Sequence, residues 1–96
     1  MNTCAPFTKG DALAVARILD AIVTGKRAEW IGVSMRAIKG TVRNIMADDE
    51  GRGFLDADAD VRTGFLWISS TFEFFIPMTD VISMMADNLF VIEEGK

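Results

Sequence analysis

AEWIGVSMRAIKGTVRNIM, residues 28–46, is the stretch on which the fold turns. Ala28, Ile31, Met35, Ile38, Val42 and Ile45 recur at spacings of 3, 4, 3, 4 and 3. An α-helix turns once in about 3.6 residues, so side chains spaced in this way share one helix face. The spacing predicts one helix over 28–46, bent at most at Gly32, with Ile31, Met35, Ile38, Val42 and Ile45 buried.

The flanking sequence is read in the same way. ALAVARILDAIV, residues 12–23, is apolar on nearly every side except Arg17 and Asp20, as a largely buried central helix would be. It is expected to start at Thr8 or Asp11 and to end at Thr24-Gly25. ADDEGRG, residues 47–53, is a polar loop. A third helix is expected from Asp56 or Asp58 to Pro77, because Val61, Phe65, Ile68, Phe72 and Phe75 repeat the 3/4 spacing. Its centre, FLWISSTFEFF (65–75), is rich in β-branched and aromatic residues, which favour strands. The alternative there is a β-hairpin at 64–76, with FLWI and TFEFF pairing across Ser69-Ser70 in an α+β fold. Thr79 or Asp80 would cap a fourth helix, VISMMADNLFVI, with Val81, Met85, Leu89 and Ile92 inward. The leading expectation is a single all-α domain of four helices spanning residues 1–96.

Composition narrows the function. The 96 residues contain no histidine and no tyrosine, and the lone Cys4 has no base beside it in sequence to activate it. EGRGF is too short for a phosphate-binding loop. Asp56, Asp58 and Asp60 alternate as in a calcium loop, but the turn glycine would fall on Val61 and the closing acid on Trp67. No catalytic residue, metal or cofactor is therefore assigned. No apolar run approaches the roughly 20 residues that a membrane span requires. With one cysteine and no apolar leader, the chain is expected in the cytoplasm. The net charge of −4 divides unevenly. Residues 1–46 carry seven Lys/Arg and three Asp/Glu, whereas residues 47–96 carry three and eleven.

Within the basic half, AEWIGVSMRAI resembles the helix-turn-helix family of DNA-binding domains. Ala28, Gly32, Val33, Ser34 and Ile38 stand where that family places a small residue, the turn glycine, an apolar residue, a serine and a core residue of the recognition helix. The resemblance covers residues 27–46 and implies that Ser34, Arg36, Lys39 and Arg43 face the DNA major groove. Gly40 would then sit inside the recognition helix, at a cost of about 1 kcal/mol relative to alanine.

A different surface is expected from helix three. Trp67 and Phe74 lie seven residues apart, off the 61-65-68-72-75 stripe, so a helix would present them together on its outer face. With Met78, Met84 and Met85 they would form an aromatic and methionine patch for a partner or a second subunit. Asp48, Asp49, Glu50, Asp56, Asp58 and Asp60 would select a basic partner and speed encounter. The leading function is a non-enzymatic regulatory or inhibitory protein-binding module, of the kind that bacteriophage-type inhibitors exemplify, and self-associating as a homodimer. The alternative is a helix-turn-helix regulator binding DNA through residues 34–43.

Overall fold

The computed structural model describes residues 6–94. It contains an α+β fold: one five-stranded antiparallel sheet with two helices on one face. The elements in chain order are α1 (Lys9–Thr24), β1 (Arg27–Ile31), β2 (Ala37–Met46), a 3-10 turn (Val61–Thr63), β3 (Phe65–Ser69), β4 (Glu73–Pro77), α2 (Met78–Ala86) and β5 (Phe90–Ile92). The strand order is β4-β3-β2-β1-β5. The first four strands form a meander, and α2 carries the chain across the sheet to add β5 at the opposite edge. The four-helix expectation is thus overturned.

Helix α1 forms where expected. Thr8 and Asp11 make a reciprocal capping box, and Gly25 closes the helix in the left-handed conformation (φ 68°) that glycine adopts without strain. Only Ala14, Ile18 and Ala21 are fully buried, so α1 covers the sheet with one face rather than running through the core.

Residues 28–46 are not a helix but a β-hairpin, with Arg27↔Thr41 through Ile31↔Ala37 in register. Two features give it a helical spacing. Along β2 the inward residues are Ile38, Gly40 and Val42; glycine adds nothing to an apolar pattern, so the alternation reads as a step of 4. At Arg43 the ladder has a β-bulge, so Val42 pairs with Ile68 and Asn44 with Trp67. The extra residue puts Ile45 inward, three positions after Val42. The expected stripe fails at Ile31 and Met35, which are exposed, Met35 by 80%.

The segment expected as helix three holds the β3–β4 hairpin, paired from Phe65↔Pro77 to Ser69↔Glu73. The turn is residues 70–72, longer than the Ser69-Ser70 crossing of the hairpin alternative. Ser70 Oγ donates to the Lys39 carbonyl and pins this turn to β2. The expected fourth helix is α2, ending at Ala86. Leu89 is exposed and Ile92 is buried in β5 rather than on a helix.

The core lies between the helices and the sheet. Ile18, Ala21, Ala28, Leu66, Ile68, Met78 and Val81 are wholly buried. Trp30 is its aromatic hub, edge-on to Phe74 at 5.5 Å and stacked on Phe90 at 5.8 Å. Such pairs add about 0.5–1.5 kcal/mol beyond the area they bury. On the other sheet face, the 47–60 loop folds back over Met46 and Phe75. Phe54 bridges to Met46, and a Cβ on Gly51 would lie 2.6 Å from the Phe75 ring. No helix among the described residues is long and apolar enough to cross a membrane.

Candidate functional site

The sheet and α2 diverge toward the tip of the β1–β2 hairpin, leaving an apolar groove of about 430 Å³. Trp30, Ile38, Phe74 and Ile76 on the sheet, Met84 on α2 and Val33 on the hairpin tip supply its apolar surface. Asp80 and Ser83, on α2, supply the polar groups. A smaller depression of about 210 Å³ shares Trp30 and Ile31 with the groove and continues to Leu89 and Val91 on the β5 side. Val33 is fully exposed beside the groove, and Ile31, Met35, Leu89 and Val91 are exposed as well. Beside its concave apolar floor, this end of the molecule thus exposes Ile31 and Val33 on the hairpin and Leu89 and Val91 on the β5 side.

The hairpin tip is built for exposure. The Met35 amide donates to the Gly32 carbonyl (2.9 Å) and the Gly32 amide to the Arg36 carbonyl (2.9 Å), closing a tight turn over residues 32–36. Met35 completes it in the left-handed region (φ 63°), where a side chain costs about 1–2 kcal/mol and glycine would be free of strain. The other non-glycine residue with positive φ, Asn88 (φ 60°), lies in the α2–β5 turn at the same end of the sheet. Strained backbone of this kind is held in place by the surrounding structure and clusters at functional sites.

The residues expected to form one aromatic and methionine patch are dispersed. Trp67 and Phe74 occupy opposite sheet faces: Phe74 packs on Trp30 in the groove floor, whereas Trp67 stacks on Phe75 at 6.2 Å and donates its indole N–H to Glu73. In a strand the seven-residue separation carries no common face, and the three-residue turn between β3 and β4 sets the phase. Met78, the first residue of α2, is wholly buried, Met84 lines the groove, and Met85 borders a separate cleft against α1. Trp30 and Ile76, also in the groove, were not singled out by the sequence, and Val33 and Ile38 were read there as a turn residue and a core residue of a helix-turn-helix rather than as groove residues.

The acidic residues of the 48–60 segment do not line the groove. Asp48 accepts N–H bonds from Glu50 and Arg52, and its side chain pairs with the Arg52 guanidinium at 3.1 Å. The backbone bond from Arg52, followed by those from Glu50 and the Arg52 side chain, lowers its pKa below the ordinary value. Asp49 and Glu50 are exposed in the same turn, and Glu50 also pairs with Arg52. Asp56 accepts from the Asp58 amide, and Asp60 holds Arg62 at 2.6 Å. These carboxylates order the loop through local turns. Among the described residues no group of three or more His, Cys, Asp or Glu could hold a metal ion. Cys4 lies outside the described residues.

The four polar residues assigned to a recognition helix are spread over a hairpin. Ser34 is in its turn and Arg36 at its mouth. Lys39 is on β2, paired with Glu93 at 3.1 Å, and Arg43 is in the bulge. They lie on no common helix face.

No family model, curated protein or solved structure matches this chain. The groove stands on its own geometry.

Proposed function

We propose that this chain is a non-catalytic protein-binding module whose groove receives the apolar side chains of a partner segment. The observation that carries the reading is the exposure of Ile31 and Val33 beside a concave floor of Trp30, Phe74 and Ile76. An aromatic-floored pocket with an exposed apolar rim is where binding energy concentrates at interfaces. Asp80 on the groove and Glu29 on the adjoining depression favour a segment bearing Lys or Arg beside its apolar anchors. The chain contains no histidine that could activate the hydroxyl of Ser83, which supports the non-catalytic reading.

The test is selection from a displayed library of random peptides on immobilised protein. Wild type should enrich sequences with apolar residues at regular spacing and a neighbouring Lys or Arg. Val33→Asp and Met84→Glu, both at the groove surface, should abolish the enrichment while circular dichroism stays unchanged. Enrichment that survives both changes would place binding elsewhere, and none at all on wild type would remove the proposal.

A further inference from the structure

The outer face of α1 is distinct from the groove. Placed at about 100° per residue, Ala12, Ala16, Leu19 and Val23 fall in a sector about 60° wide, roughly opposite the buried Ala14, Ile18 and Ala21. All four are exposed, Val23 by 84% and Leu19 by 46%, and no charged residue falls within the sector. Their spacings of 4, 3 and 4 are those of a coiled-coil seam. A core-packing helix has no need of a second seam on its solvent side.

The order of residue sizes along the seam says what it fits. In an antiparallel pair of copies, Ala12 of one helix falls opposite Val23 of the other, and Ala16 opposite Leu19. The two-fold axis repeats both pairings, so all four layers set a small side chain against a large one. That is the arrangement that lets facing layers interdigitate. A parallel pairing would instead set Ala12 on Ala12 and Ala16 on Ala16, leaving two adjacent layers underfilled. The match is between the seam and itself, as an isologous interface requires. Antiparallel pairing also sets each helix N-terminus beside its neighbour's C-terminus, where the dipoles attract.

We infer that α1 is a homodimerisation helix: a second copy of this chain packs on Ala12, Ala16, Leu19 and Val23 in antiparallel register. The sheets then form the outer layers and the two groove ends remain free.

Sedimentation equilibrium with charged variants tests both the interface and its register. Wild type should reach twice the chain mass at millimolar concentration and fall toward the chain mass on dilution. Leu19→Glu alone and Ala16→Lys alone should each run at the chain mass with an unchanged circular dichroism spectrum, because both sites are exposed. An equimolar mixture of the two should recover twofold mass, since the antiparallel register sets the introduced lysine of one copy against the introduced glutamate of the other. A wild type that stays at the chain mass throughout overturns the inference. So does a Leu19→Glu variant that still dimerises, or a mixture that stays monomeric.

Discussion

Replacing Gly40 with alanine should destabilise the protein, and the sign of the effect carries the argument. In a helix interior the same change would stabilise by about 1 kcal/mol, because alanine is the better helix former. In the hairpin, Gly40 pairs with Ala28 and faces the core beside β3. A Cβ there would lie 2.7 Å from Cγ2 of the wholly buried Ile68, 2.8 Å from the Ser69 carbonyl oxygen and 3.1 Å from Ser70 Cβ. One of these neighbours is backbone, and the Ser70 bond to the Lys39 carbonyl ties the turn to β2, so relaxation must displace the β3–β4 turn. Overpacking of this size costs about 1–3 kcal/mol. The smaller entropy of the unfolded alanine chain returns about 0.4–1 kcal/mol. The net expectation is a loss of about 1–2 kcal/mol, equivalent to a melting-temperature drop of roughly 4–16 °C for a domain of this size. Urea unfolding followed by tryptophan fluorescence reads it as a lower midpoint with an unchanged slope. A Gly40→Ala variant more stable than wild type would refute the strand assignment of β2.

Met35→Gly should stabilise by about 0.5–1 kcal/mol, since relief of the left-handed strain exceeds the added entropy of the unfolded chain; a lower urea midpoint would count against the tight hairpin turn. Met78→Ala should cost about 2–5 kcal/mol as a buried cavity, and Met84→Ala, at the groove surface, less than half of that; equal costs would contradict the placement of the two methionines. The pKa of Asp48 is depressed in the folded state, so its contribution is complete above the ordinary 3.8 and is lost as pH falls through the folded value. The amide resonances of Glu50 and Arg52 should therefore titrate with a midpoint below 3.8, and one at or above that value would dissolve the turn assigned to them.

Helix α1 was legible because its signals are local: Thr8 and Asp11 at the start, Gly25 at the end, and no competing alternation between them. The β1–β2 hairpin was not, because each departure from period 2 fell where it imitates period 3.6. Gly40 is inward but silent, and the bulge at Arg43 moves Ile45 by one residue. Trp67 and Phe74 show the same difficulty. Their relation depends on the length of the turn at 70–72, which apolar spacing does not encode. The groove was invisible for another reason. It joins residues 30–38, 74–76 and 80–84, three stretches that meet only once β4 has returned beside β3 and α2 has crossed the sheet. Of the residues expected at a partner site, Phe74 and Met84 reach the groove, and Trp30, its centre, carries no motif.

The placement of β5 bears on how the chain assembles during synthesis. Strands β1 to β4 pair with their sequence neighbours and can zip as they emerge. Phe90 and Ile92, by contrast, must return across the sheet to Trp30 and Ala28, 60 and 64 residues upstream. Until the ribosome has released them, the indole of Trp30 lacks its stacking partner, and one edge of the meander stays open. A nascent chain halted after α2 would display that bare edge beside a tryptophan packed on Phe74 but lacking Phe90. An unpaired edge of that kind is open to strand exchange with a neighbouring chain until β5 covers it.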